Sequence, residues 1–297
     1  MRILTICHDH PHITNGGTEH LAYDLSRALD GLPGVTARFL AASTALSHPE
    51  VPAGTLHALG SDLLLRTGRY DLFSMRRQDG LAWTEAVAKA LAATTPDIVH
   101  LHGLDRLGAE IVPLLRRLRP AAGIVLTLHD FQFICPERGL LLRRDGGLCN
   151  RQAPDACHQC LPEITTGAHA LRKARLLAIL DQVDLFIAPS EDVRSRFMAW
   201  GLSGGRIAVV RNAVPEMSPP PTEARQRPNR FAYFGNFAEH KGVHVLLNAA
   251  ERLGRTGGDY RVSLYGRLHH PSAETQRSFA EALSAAAPVA QLVGPFD

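Results

Sequence analysis

Residues 2–29 read RILTICHDHPHITNGGTEHLAYDLSRAL, and this stretch decides the fold. RILTIC is a short apolar run of strand length, and HLAYDLSRAL spaces its apolar residues as a helix does. The turn between them carries Gly16-Gly17. Strand, turn and helix then recur along the chain. Strands are predicted at 2–7, 35–41, 97–102, 123–129, 184–189 and 206–211. Helical spacing marks WTEAVAKALAAT (83–94), LGAEIVPLLRRL (107–118) and EDVRSRFMAWG (191–201). Alternation of this kind predicts a parallel sheet covered by helices on both faces. IVLT and LFIA are apolar on both faces, as strands buried on both sides should be.

The pattern breaks at VPEMSPPPTEARQRPN, residues 214–229, which is proline-rich, polar and without period, and reads as an interdomain linker. Beyond it the alternation restarts with RFAYFG, KGVHVLLNAAERLG, YRVSLYG, AETQRSFAEALSAAA and VAQLVG. The chain therefore divides into a first lobe at 1–213, the linker, and a second, shorter α/β lobe at 230–297. A length of 297 residues suits two domains, and a net charge of +3 gives no argument for nucleic-acid binding. Arg116, Arg117 and Arg119, like Arg172, Lys173 and Arg175, read as solvated helix faces. Contact with anionic lipid headgroups enters only with a lipid substrate. No apolar run approaches the ~20 residues of a membrane span. The start has no cleavage-site pattern, so a cytoplasmic protein with reduced thiols is expected.

Ligands of open α/β sheets sit at the carboxyl ends of the strands. Three strands of the first lobe end in histidine: His8, Asp9 and His10; His100 and His102; His129 and Asp130. Alternation puts His100 with His102 and Thr127 with His129 on common faces, so a polar cleft is expected there. Gly16 and Gly17 let backbone approach a ligand, since neither carries a Cβ. Thr18 or Asn15 is the expected cap of a helix starting near Glu19, whose free N–H groups suit a phosphate or a sugar hydroxyl. The turn is not GxGxxG, which disfavours a dinucleotide. In the second lobe, YFGNFAEHKG ends a strand at Gly235 and opens a helix at Lys241-Gly242, a place for a lysine to hold a diphosphate.

Cys135, Cys149, Cys157 and Cys160 fall in one insertion, 131–162, spaced C-x13-C-x7-C-x2-C. Four thiolates complete a closed tetrahedral zinc site. Free thiols, a disulfide or an iron–sulfur cluster are the alternatives that the spacing leaves open. Cys7 is expected to be a buried strand residue.

Taken in order, GGTE after the first strand, DIVHLH, TLHD, APSEDVRSRF, VVRNAV and FGNFAEHKG resemble the family-4 glycosyltransferases of the GT-B fold. The resemblance implies an α/β protein of two Rossmann-like lobes, and transfer of a sugar from a nucleotide-sugar with retention. It implies an acceptor, saccharide or glycolipid, held by the first lobe and a donor held by the second, with no catalytic metal. By position, His129 with Asp130 would serve the reacting sugar, and Lys241 would stabilise the departing diphosphate. Gly16, Gly17, Thr18, Glu19, His102, Ser190, Asn212, Gly235 and Asn236 would line the donor and acceptor sites. Two departures stand out. Asn236 occupies a place where the family commonly has arginine, and the chain ends at LVGPFD, before the family's acidic donor motif. The second lobe is thus expected to be incomplete, with activity of this chain alone in question or a second chain completing the lobe. Two rival readings are a metal-dependent hydrolase, since HDH resembles the HxH of amidohydrolase barrels, and a non-catalytic partner or fragment.

Overall fold

The computed structural model describes residues 1–14, 16–43, 52–77, 80–214, 228–268 and 272–295. Contacts divide the chain into two compact units, Met1–Pro215 and Glu216–Asp297. Residues 215–227 of the expected linker lie outside the described residues.

The first unit begins with β1 (Arg2–His8), α1 (Gly17–Asp30) and β2 (Thr36–Ser43). Next come β3 (Leu56–Leu59), β4 (Asp62–Arg66), a two-stranded ribbon of β5 (Tyr70–Asp71) and β6 (Arg76–Arg77), and α2 (Gly80–Thr94). The alternation then runs β7 (Ile98–His102), α3 (Ile111–Leu118), β8 (Gly123–Thr127), α4 (Pro154–Cys160), α5 (Thr166–Leu180), β9 (Leu185–Ala188), α6 (Glu191–Trp200) and β10 (Ile207–Val209). The main sheet has the order β10-β9-β8-β7-β1-β2-β4-β3 and is parallel except for the β3–β4 pair. Its two faces follow from alternation along β1. Leu4 and Ile6 enter the large core with Leu101, Leu126 and Phe186, while Cys7 joins Ala22, Phe39 and Ala41 on the other face.

The order places β1 between β2 and β7, so the chain reverses its direction of winding at the β1–β7 boundary. Such a switch point opens a crevice at the carboxyl ends of the two strands. Here those ends are His8 and His102.

Strand β8 stops at Thr127, two residues before the expected end, because Leu128 alone continues the bonding, its N–H donating to the carbonyl of Ile187. The β3–β4 hairpin was not expected. Nor are all the arginine clusters solvated faces. Arg116 pairs with Asp184 at 2.8 Å and donates to the Gln182 carbonyl, fastening α3 to β9. Arg172 is buried and donates to the carbonyls of Phe73, Phe133 and Gln132. Both are tertiary clamps.

The second unit is β11 (Arg230–Phe234), α7 (Val243–Gly254), β12 (Arg261–Tyr265), α8 (Ala273–Ala285) and β13 (Ala290–Gly294), with the parallel order β11-β12-β13. Its own core gathers Phe237, Val243, Leu247, Ala250, Val262 and Leu264. Among the described residues no helix is long and apolar enough to cross a membrane.

Candidate functional site

In the first unit the strand ends bring the histidines together. His100 and His102 project from one face of β7 with ring centroids 4.2 Å apart. Strand β8 lies beside β7 in register, Thr127 opposite His102. Nε2 of His100 lies 2.8 Å from Oγ1 of Thr127, and Nδ1 of His102 lies 3.0 Å from Nε2 of His129. Burial holds His100 and His129 down to about 4, and it lowers His102 well below the ordinary histidine range, helped by its histidine neighbours. All three are therefore neutral at pH 7. Each neutral ring carries a single N–H. The Nε2 of His102 is buried without a partner. The tautomer that leaves this nitrogen bare makes His102 the donor to His129. Neutral His129 then keeps its own proton on Nδ1, ready to donate to a ligand oxygen. Asp130 follows; burial raises its carboxyl, which accepts from the Gln132 N–H at 2.8 Å.

His8 closes the other side of the crevice. Its Nε2 stands 3.5 Å from Oε1 of Glu19, and its Nδ1 is buried without a partner. The expected capping is corrected here. Gly16, not Thr18, is the N-cap of α1, in extended conformation and with no side-chain cap. Thr18 lies inside the helix, and Asn15 is outside the described residues. Glu19, the third helical residue, is buried and folds back over the turn, so that a Cβ on Gly16 would lie 2.3 Å from its Oε2. That is the place a capping-box glutamate takes, and it sets a carboxylate at the helix end where an anionic ligand would come. Gly17 is exposed beside it.

The HDH segment does not gather a metal. His8 turns to Glu19, whereas His10 is buried with its Nε2 3.5 Å from Asp62 and its ring edge-on to Tyr23 and Phe39. Asp9 between them takes φ 71° and is held by Arg106 at 2.5 Å and by the Thr14 hydroxyl at 2.6 Å. The open sheet also removes the barrel that the hydrolase reading needs.

Ser190 serves a helix end, whereas Asn212 shares a groove with two of the histidines. The Ser190 hydroxyl caps α6, accepting from the Val193 N–H at 3.3 Å. Asn212 lies on the segment after β10 that lines a groove of about 500 Å³ with His100, His102, Thr127 and α1.

In the second unit Gly235 ends β11 with φ 147°, and its N–H donates to the Tyr265 carbonyl. Gly266 ends β12 and Gly294 ends β13, also at positive φ. A Cβ on Gly266 would stand 1.9 Å from the Gly235 carbonyl oxygen. The three glycines form a row of bare backbone at the carboxyl edge of this sheet. The sequence shows the row, since all three second-lobe strands end in glycine, but only Gly235 was singled out. Lys241 ends a 3-10 turn, Glu239–Lys241, and is exposed. The helix starts at Val243, two residues later than the expected Lys241, with Gly242 as N-cap in the left-handed region. Asn236 is exposed, and its carbonyl accepts from the Tyr233 hydroxyl.

All four insertion cysteines are free and partly buried, and Cys7 is free and buried. Among the described residues no three histidine, cysteine or acidic side chains already stand in a metal-holding arrangement.

No curated protein sequence matches the chain. Solved structures do resemble it. HepE (Alr3699) of Anabaena, in complex with UDP, is 14% identical with a TM-score of 0.60, the likeness covering 100% of this chain and 70% of that one. The lipopolysaccharide outer core galactosyltransferase WaaB is 15% identical with a TM-score of 0.53, over 100% and 69%. OtsA is 14% identical with a TM-score of 0.58, over 100% and 74%. These likenesses show the fold, which is that of the GT-B glycosyltransferases. The sequence profile of Glycosyltransferase Family 4 matches residues 15–216, more than half of the 297. The chain belongs to Glycosyltransferase Family 4.

Proposed function

We propose that the protein transfers a sugar from a uridine diphosphate sugar to a saccharide or glycolipid acceptor, with retention at the anomeric carbon. The carrying observation is the hydrogen-bonded His102–His129 pair at the first unit's switch point, flanked by ring nitrogens that have no partner. Buried polar atoms without partners are costly, and a ligand hydroxyl there would satisfy them. HepE, solved with UDP and with UDP-glucose, supports the choice of nucleotide.

In this reading His129 donates from Nδ1 to an oxygen of the reacting sugar. It is not a proton store, because its depressed basicity keeps it neutral throughout the physiological range. Lys241 acts as a fixed cation for the leaving diphosphate, where negative charge grows most in the transition state. The glycine row of the second unit, without side chains, lets phosphate oxygens approach the backbone closely. Asn236 adds no charge, so Lys241 carries more of the work than it would beside an arginine.

The test is proton NMR of the first sugar released from an α-linked UDP-sugar, to acceptor or to water, before it mutarotates. The α-anomer is expected; the β-anomer would contradict retention.

A further inference from the structure

The insertion after β8 leaves four cysteines unexplained by sugar transfer. They come from three separate places. Cys135 ends the turn after Asp130, Cys149 follows the bridge between Leu142 and Leu148, and Cys157 and Cys160 lie three residues apart on α4. Despite separations of up to 25 residues, all four line one cavity of about 20 Å³. None is paired in a disulfide. The backbone already serves this arrangement. The Cys149 N–H donates to the Leu141 carbonyl, and the Leu141 backbone hydrogen-bonds the Cys135 sulfur.

A second observation is independent of the thiols. Arg172 is a buried cation whose guanidinium donates to three backbone carbonyls and stands over the Phe73 ring. Among the described residues no carboxylate forms an ion pair with it. It lines a small cavity together with Cys157 and Lys173. Buried charge without a counter-charge is expensive. Four thiolates on a divalent ion carry a net charge of −2, which would offset this buried cation.

We propose that Cys135, Cys149, Cys157 and Cys160 bind one zinc ion as a closed tetrathiolate site. Each thiol gives up its proton to solvent as its sulfur takes a place in the metal's shell. With all four positions filled by sulfur the ion has no open site and is structural. The thiols are gathered but not yet at ligating distance, and the closing movement falls on loop residues and on one face of a seven-residue helix. The bound ion would fix the segment that begins at Asp130, next to His129.

The full chain, purified without chelator from zinc-supplemented medium, should hold about one zinc per molecule by mass spectrometry of the elements. Cobalt in its place should give thiolate-to-cobalt charge-transfer absorption. Cys149→Ser should weaken zinc retention about tenfold or more, whereas Cys7→Ser should leave the zinc content unchanged. Metal-free protein with four freely titrating thiols would overturn the proposal. So would a disulfide within the insertion, or stoichiometric iron with sulfide. Elemental analysis of the wild-type chain decides the matter even if the serine variant fails to fold.

Discussion

His129 has its Nε2 engaged by His102 and its Nδ1 left for a ligand. Removing the ring therefore has two separable effects. His129→Ala leaves the buried Nδ1 of His102 without its partner, which should cost about 1–3 kcal/mol of stability. The same change should lower kcat/KM by about 10²-fold or more, mostly in kcat, because the lost contact is to the reacting sugar. Unchanged kcat/KM alongside lowered stability, measured by transfer assay and urea unfolding, would make the histidine structural. At this scale the sequence showed which residue types meet but not how they bond. The i, i+2 spacing of His100 and His102 placed them on one face, and the structure has their rings adjacent. The cap of α1 was misjudged, because a glycine N-cap leaves no side-chain mark and Glu19 takes over the helix end from inside.

Strand ends hold the next consequence. His100 and His129, with folded-state values of about 4, bind fewer protons when folded than when unfolded between pH 4 and the ordinary histidine value. Stability must then rise with pH across that window, and fall as pH drops from about 6.5 toward 4, by an amount on the order of a few kcal/mol. Urea midpoints measured across that range should show the slope, and His100→Gln should flatten it. A flat wild-type profile would refute the burial argument. In the second unit, Gly266→Ala sets a methyl group against the Gly235 carbonyl at a positive φ, and should destabilise by at least about 2 kcal/mol. Melting at the wild-type temperature would show that the glycine row is not close-packed. The alternation made most of these elements legible, including every strand of the second unit. The β3–β4 hairpin was missed although Leu56–Leu59 and Asp62–Arg66 flank Gly60-Ser61, a two-residue hairpin signal, because their burial is irregular and the expected period was that of a buried parallel strand.

On the scale of the whole molecule, the order of the motifs carried more than any one of them. GGTE, HLH, TLHD and EHKG are each common, yet their sequence along two successive α/β units led to the family that the profile match shows. What the order did not reveal is how each unit prepares its strand ends: neutral histidines in one, bare glycine backbone in the other. The central claim is that this chain holds a nucleotide donor, with Lys241 as its cation. The most direct measurement is calorimetric titration of the chain with UDP, GDP and their sugar conjugates. Saturable binding of UDP or a UDP-sugar is predicted, weakened about tenfold by Lys241→Ala, as loss of one charge-assisted contact implies. A well-folded sample that binds none of them, or one whose affinity ignores the lysine, would contradict the account.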